Sequence, residues 1–361
     1  MNLRSPYPWF GGKSSVARKV WARFGKVRNY VEPFLGSAAM LLCRPTPFEG
    51  SETVNDADCY LSNFWRALQA DPEAVATWAD WPVNEADLHA RHLWLIGRDE
   101  FRERMKTDPD YFDAKIAGWW VWGLCKWIGG GWCELAQKRP HLGDAGRGID
   151  RPHQKRPHLG DGGRGIDRPH QKLPHLHAGR GIDRTHQKRP HLGNQGVGID
   201  RPSQKLPHLG DQGRGEIYDY FAALAARLRR VRVCCGDWSR VCGPTPTVEQ
   251  GLTAVFLDPP YSAEAGRRAG LYAVEDLSVA HAVRVWCLEW GGDRRMRIAL
   301  CGYEGEHEEL ERSGWSVEAW KANGGYASRA DHGNENARRE RIWYSPHCLA
   351  DGRLPLFTEA S

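Results

Sequence analysis

Short apolar runs alternate with longer amphipathic segments over much of the chain, and this alternation predicts strands and helices in turn. The most continuous run, Thr253–Leu257, is typical of a strand that is buried on both faces. The other short runs are Tyr30–Glu32, Thr53–Val54, Val231–Cys235, Arg297–Leu300 and Arg341–Tyr344. Strands that alternate with helices in this way favour an open α/β sheet.

Longer segments with a helical pattern lie between these runs. They are Phe64–Ala70, Glu85–Lys106, Tyr111–Trp127 and Ile217–Leu228. A shorter helix is predicted over Ser37–Cys43, with Ser37 as its N-cap, because a serine hydroxyl can accept a bond from a free backbone N–H of the first turn. Residues 63–135 are therefore mainly helical, and they follow a first block of strands and helices over residues 1–62.

A tandem repeat with a spacing of 16 or 17 residues occupies 137–215. Its copies begin at Gln137, Gln154, Gln171, Gln187 and Gln204. Each copy offers little more than one leucine and one isoleucine for burial, so the copies cannot build a solenoid core. An extended or loosely turned arrangement is expected instead. The near-identity of the copies indicates recent duplication of one functional loop.

The charge of the chain is concentrated in this repeat. The whole chain has a net charge of +5, whereas residues 137–215 alone hold 16 Lys and Arg against 7 Asp and Glu, so the remainder is mildly acidic. A basic segment on an acidic body favours a polyanionic partner. A solvated basic loop without any partner is the alternative.

Four acidic residues fall at the carboxyl ends of predicted strands. They are Glu32, Asp56, Asp237 and Asp258. Ligands of open α/β sheets bind at the carboxyl ends of the strands, so these side chains are expected to gather at one binding edge.

The tetrapeptide Asp258-Pro259-Pro260-Tyr261 is the most specific motif. Two prolines remove two backbone donors and stiffen the turn, so carbonyl oxygens there are free to accept hydrogen bonds. The carboxylate and a proline carbonyl can accept both N–H bonds of an exocyclic amino group, while the tyrosine ring stacks on a planar base. An amino nitrogen held in this way loses conjugation, and its lone pair can point at an electrophile. A proline-rich strand exit without function is the alternative reading.

Two glycine-containing motifs near the N-terminus indicate a ligand pocket. Trp9-Phe10-Gly11-Gly12-Lys13 lets the backbone approach a ligand closely, while Lys13 can reach a carboxylate. Glu32-Pro33-Phe34-Leu35-Gly36 follows a strand, as in α/β folds that cradle a cofactor. Asp56 comes about 20 residues later, where an acid can hold ribose hydroxyls. A solvated turn or a helix cap is the simpler explanation of Asp56 on its own.

Together and in this order, the motifs closely resemble the Dam-type (alpha-class) DNA adenine methyltransferases of bacteria and phages. The resemblance covers residues 7–62 and 217–346. It implies a Rossmann-like seven-stranded sheet with an inserted, mainly helical target-recognition region, here carrying the repeat. Residues 1–62 and 217–361 would then form the two parts of the catalytic domain, and 63–216 the insert.

The resemblance also implies the site residues and the cofactor, S-adenosylmethionine. Those assigned to the cofactor are Trp9, Phe10, Lys13, Glu32, Pro33, Phe34, Gly36, Asp56 and Asp237. The assigned catalytic residues are Asp258, Pro259, Pro260 and Tyr261. The sequence departs from the family at Ala38, where a second glycine is frequent.

The partner implied by the resemblance is double-stranded DNA whose target adenine leaves the base stack. Arg, Lys and Gln of the repeat can contact phosphates and base edges, whereas extra copies that are merely tolerated are the alternative. A cognate restriction endonuclease is a partner that this family allows, as is solitary modification. Methylation of cytosine or of RNA, or a non-catalytic nucleic-acid-binding protein that uses the Gly-Arg repeat, are the competing functions.

The remaining composition favours a cytoplasmic protein without a metal. The sequence has no 18-residue apolar run and no N-terminal apolar segment, so neither a membrane span nor a signal peptide is predicted. Its ten cysteines are therefore expected to be reduced. Nine histidines lie in the repeat, but no cysteine lies there and no Cys-x-x-Cys pair occurs, so structural zinc is not expected. Cys234-Cys235 is assigned to the core.

Overall fold

A seven-stranded sheet forms the centre of the computed structural model, which describes residues 3–9, 12–127, 131–133, 215–261, 279–320 and 338–350. The strands are β1 Asn29–Glu32, β2 Ser51–Asp56, β3 Val231–Cys235, β4 Thr253–Leu257, β5 Met296–Tyr303, β6 Ser316–Ala319 and β7 Glu340–Tyr344. Their spatial order is β3-β2-β1-β4-β5-β7-β6. The first five are mutually parallel, whereas β7 is antiparallel to β5 and β6. The predicted α/β class and seven-stranded sheet are confirmed.

The order of the strands defines the position of a binding crevice. From β1 the chain proceeds outward to β2 and β3 on one side, and β4 and β5 then extend the sheet on the other side. Such a reversal opens a crevice beyond the carboxyl ends of the two central strands. Every residue of β1 and β4 is buried, which agrees with the apolar run predicted for β4. Glu32 and Asp258 therefore stand at the two sides of this crevice.

The described helices include the predicted ones with shifted ends. Their bounds are α1 Ala17–Phe24, α2 Ala39–Leu42, α3 Cys59–Ala70, α4 Pro72–Ala79, α5 Glu85–Ile96, α6 Asp99–Thr107, α7 Ala114–Lys126, α8 Gly215–Leu228, α9 Val279–Trp290 and α10 Glu308–Arg312. The single helix predicted over Glu85–Lys106 is wrong. Helix α5 ends before Gly97, and a second helix, α6, begins at Asp99 with two acidic residues in its first turn. The repeat at 137–215 lies outside the described residues, apart from Gly215 at the start of α8.

Helices α3, α4, α7 and α8 pack on one another and continue the core of the sheet. Trp65, Trp120 and Trp122 are fully buried there, together with Phe64 and Phe221. Several of the tryptophans are therefore core residues. Among the described residues, no helix is long and apolar enough to cross a membrane.

A buried ion cluster joins the segments before and after the helical region. Glu52 of β2 is 3% exposed, and one of its carboxylate oxygens lies 3.1 Å from Nη1 of Arg44. Arg227 of α8 binds both carboxylate oxygens at 2.7 and 2.8 Å. Arg44 precedes α3 to α7 in the chain and Arg227 follows them, so one carboxylate ties the two together.

Candidate active site

A cavity opens at the carboxyl ends of β3, β2, β1 and β4, where the acidic residues were expected to gather. Its lining includes ten of the residues predicted for the site: Trp9, Lys13, Glu32, Pro33, Phe34, Gly36, Asp56, Asp237, Asp258 and Pro260. Pro259 and Tyr261 are buried beside it. Phe10 lies outside the described residues. The crevice thus holds both the assigned cofactor residues and the start of the tetrapeptide.

The turn after β1 has an unusual backbone that explains its glycine. Gly36 has a φ of +48°, and a Cβ at this position would come within 2.6 Å of the Trp9 indole nitrogen. Tyr7 donates its hydroxyl proton to the carbonyl of Gly36 at 2.8 Å. The predicted cap at Ser37 is wrong. Helix α2 starts one residue later, after Ala38, because Ala38 itself adopts the left-handed conformation and no side chain caps the first turn.

Ala38 shows why the family often has glycine here, since its φ of +55° strains an ordinary residue. Replacing it with glycine relieves about 1 kcal/mol of strain but removes a buried methyl group worth about 0.8 kcal/mol. We expect Ala38→Gly to change the free energy of unfolding by less than about 0.5 kcal/mol in urea titrations. Ala38→Val, with a branched side chain, is expected to destabilise the protein by more than about 1 kcal/mol. Equal stabilities of the Gly and Val variants would contradict this account.

Side chains at the end of β2 form hydrogen bonds with the turns that follow its two neighbouring strands, β1 and β3. Asp56 accepts hydrogen bonds from the backbone N–H groups of Gly36 at 3.0 Å and Asp58 at 2.9 Å. Asn55 is buried, and its amide donates to the carbonyls of Pro33 at 3.1 Å and Gly236 at 3.0 Å. Asn55 was missed from the sequence, because only the strand order brings these two carbonyls to its sides. Asp56 therefore shapes the cavity that it lines.

Burial raises the pKa of Asp56 to about 7, against the opposing effect of its backbone hydrogen bonds. Since the folded protein holds this proton to a higher pH than the unfolded chain does, the contribution of Asp56 to stability falls as the pH rises from about 4 to about 7. We expect urea titrations at several pH values to show a steeper loss of stability in wild-type protein than in Asp56→Asn over this range. Parallel pH profiles of the two proteins would contradict the raised pKa.

The other assigned residues of the cavity differ in environment. Glu32 is buried and accepts the hydroxyl proton of Tyr30 at 2.9 Å, and burial raises the pKa of its carboxyl well above the usual range. Asp237 is exposed and accepts from the backbone N–H and the hydroxyl of Ser239 at 2.9 and 2.5 Å. Phe34 stacks on Trp238 with ring centroids 6.1 Å apart. The cavity therefore combines carboxylates with aromatic faces.

The tetrapeptide takes part in a buried polar cluster. Lys13 Nζ lies 2.8 Å from Asp258 Oδ2 and 3.4 Å from the hydroxyl of Tyr261. Burial alone would lower the pKa of Lys13, but the carboxylates of Asp258 and Glu340 raise it, so the lysine stays charged. Lys13, which the sequence assigned to the cofactor, is thus paired with the leading acid of the tetrapeptide.

Glu340 completes this cluster and was missed from the sequence. The Tyr261 hydroxyl donates to Glu340 Oε2 at 2.7 Å, and Glu340 is 6% exposed. The Tyr261 ring meets Tyr303 edge to face at 4.6 Å, and Lys13 lies over the ring of Trp320 at 5.4 Å. Glu340 follows an arginine-rich segment rather than a recognised motif, so no pattern in the sequence pointed to it.

Metal ligands and disulfides do not feature in the part of the chain described. Within those residues, no group of three or more His, Cys, Asp and Glu is placed to hold a metal ion. All ten cysteines are free thiols. Cys235 is buried and lies 3.7 Å from the sulfur of Cys59, which agrees with its assignment to the core, whereas Cys234 is partly exposed.

Comparison with known proteins supports the resemblance drawn from the motifs. Residues 9–111 match the family model of the D12 class N6 adenine-specific DNA methyltransferases. Comparison with curated proteins gives no match. The matched segment contains Lys13, Glu32 and Asp56 and ends before the tetrapeptide. The match covers less than a third of the chain and confirms the predicted resemblance to the Dam-type adenine-specific DNA methyltransferases over that segment.

Proposed function

We propose that the chain transfers a methyl group from S-adenosylmethionine to the exocyclic amino nitrogen of an adenine that is flipped out of duplex DNA. The observation that carries this proposal is the position of Asp258. It lines the cavity of carboxylates and aromatic rings and also belongs to the buried cluster with Lys13 and Tyr261. A methyl donor bound in the cavity and a target base bound beside the Lys13–Tyr261 cluster would therefore meet at the tetrapeptide.

The residues of the cavity suit the chemical groups of this cofactor. The carboxylates of Asp56 and Glu32 can accept from hydroxyl or ammonium groups, and the rings of Phe34 and Trp238 offer apolar faces to an adenine. Trp9, Phe10, Lys13, Pro33, Gly36 and Asp237 complete the proposed cofactor set. When bound, S-adenosylmethionine supplies an electrophilic methyl group on a sulfonium.

The tetrapeptide would orient the target amino group. Asp258 and the carbonyl of Pro259 accept its two N–H bonds, Pro260 stiffens the turn, and Tyr261 stacks on the flipped base. The amino group that gains the methyl group must also give up one proton, and Asp258 is the carboxylate that accepts its hydrogen bond. Orientation and electrostatics then supply most of the rate enhancement.

The first experiment is methylation of unmethylated plasmid DNA with S-adenosylmethionine, followed by mass spectrometry of the nucleosides. N6-methyladenine is expected with wild-type protein and not with Asp258→Ala. Methylcytosine instead would overturn the choice of base. No methylated base from folded, cofactor-binding protein would favour an RNA substrate or a non-catalytic binding protein. Mapping the methylated sites also identifies the sequence that a partner endonuclease of a restriction–modification pair would cut.

We also propose that the basic repeat at 137–215, which lies outside the described residues, contacts the duplex within the recognition insert at 63–216. Its net charge supports contact with phosphates, which makes affinity salt-dependent. We expect deletion of copies two to four, residues 154–203, to weaken binding of a mapped target and to reduce the dependence of that binding on salt. Unchanged affinity and sequence preference would show that these copies are merely tolerated.

A further inference from the structure

The carboxylate of Glu340 lies where the tetrapeptide meets Lys13. Glu340 is the first residue of β7, and its antiparallel partner across the sheet is Tyr303 of β5. The hydroxyl of Tyr261 lies 2.7 Å from Glu340 Oε2 but 3.4 Å from Asp258 Oδ1, so its single proton is directed to Glu340. Lys13 Nζ lies 3.4 Å from the same phenol oxygen.

The charges of this cluster are unequal in number. Among the described residues, the ammonium of Lys13 faces two carboxylates: that of Glu340, which is 6% exposed, and that of Asp258, whose side chain is 20% exposed. Burial raises the pKa of Glu340, whereas Lys13 and Tyr261 act in the opposite direction. An ion pair of Lys13 with Asp258 alone would have no net charge. The second carboxylate, that of Glu340, makes the net charge of the three groups negative when it is ionised.

That balance matters for the proposed chemistry. Attack by a neutral amino nitrogen on a methyl cation equivalent develops positive charge on that nitrogen until its proton leaves. A neighbouring lysine opposes this development, whereas net negative charge stabilises it, and the effect is strong in a buried site. A second carboxylate that offsets Lys13 therefore favours the interaction of Asp258 with the amino group.

We infer that Glu340 is a positioning residue for methyl transfer, holding Tyr261 by its hydroxyl and offsetting the charge of Lys13 so that Asp258 remains available to the target amino group. The inference rests on the proposed function. Glu340 acts through Tyr261 and Lys13, and no contact of Glu340 with the base is required. Its removal should therefore lower the rate of the transfer step more than it weakens binding.

The test compares Glu340→Gln with Glu340→Ala in steady-state and single-turnover methylation of plasmid DNA. The glutamine keeps an oxygen that accepts from Tyr261 but has no charge, whereas alanine keeps neither. We expect kcat to fall about 10- to 100-fold in the Gln variant, the range that a hydrogen bond to a charged group supports, and further in the Ala variant. KM for DNA and for cofactor should stay within about threefold in the Gln variant.

Glu318→Gln is the matched control, because Glu318 is a half-exposed glutamate on β6 that lies 3.7 Å from Arg23. It should methylate at the wild-type rate. Wild-type kcat in Glu340→Gln would overturn the inference. So would equal losses in the Gln and Ala variants accompanied by raised KM and a lowered unfolding midpoint, since these describe a purely structural residue. Product identity with wild-type protein is read in the same assay, so failure of the proposed function is recognised separately.

Discussion

Asp258→Asn is expected to lower kcat for adenine methylation about 10²- to 10³-fold, the loss that follows removal of one preorganised electrostatic contact from an active site. The asparagine keeps the shape of the side chain, but it has one accepting oxygen and no charge. Binding of the cofactor, measured by calorimetry with S-adenosylmethionine, should change far less than kcat. The expected outcome is therefore a folded protein that binds the cofactor but turns over far more slowly than the wild type.

This variant also removes a counter-charge of Lys13. The ammonium nitrogen lies 2.8 Å from Asp258 Oδ2, and Lys13 is buried. A drop in stability is expected alongside the loss of turnover, so unfolding in urea must be measured with kcat. Asp99→Asn is the control, because the Asp99 side chain is 93% exposed. Wild-type turnover by a folded Asp258→Asn protein would remove Asp258 from the catalytic set.

Glu52→Gln is expected to lower the free energy of unfolding by about 3–5 kcal/mol, because it leaves Arg44 and Arg227 buried without their shared carboxylate. The side chains of Glu52 and Arg44 are each 2% exposed, so solvent cannot replace the lost charge. Urea and thermal unfolding of the whole chain provide the measurement.

Glu304→Gln is the matched control for Glu52→Gln. The distance from Glu304 to Arg341 is 2.7 Å, equal to that from Glu52 to Arg227, but the Glu304 side chain is 63% exposed. Its loss should cost no more than about 1 kcal/mol, as for other surface ion pairs. Equal losses in the two variants would show that burial does not set the strength of the Glu52 cluster.

Some elements escaped prediction for a local reason. Strand β6 is short, lies at the edge of the sheet and is mostly exposed, so it has no apolar run that would reveal it. Helix α4 begins at Pro72 behind the cap Asp71, immediately after α3, and the two helices have no loop between them that would mark a new element. In both cases the pattern of burial is decided by neighbours that are distant in sequence.

The central strands and the chemistry at their ends could be predicted from the amino-acid sequence. A strand buried on both faces must be continuously apolar, and in a parallel sheet every carboxyl end meets at one edge, so Glu32, Asp56 and Asp258 could be placed together in advance. The turn after β1 could also be predicted from its glycine, because glycine is the residue that most readily adopts the positive φ of such turns. These features depend on local patterns and on rules that hold for the whole fold class.

Which groups face each other inside the site could not be predicted, because it depends on how distant segments fold together. Glu340 lies 79 residues beyond Tyr261 in the chain, and Asn55 bonds to Gly236 across 181 residues. Neither residue has a sequence pattern of its own, since a hydrogen bond between distant segments requires only one suitable atom at each end. The pairing of Lys13 with Asp258 was hidden for the same reason. Strand order and register create these contacts, so they became visible only in the folded chain.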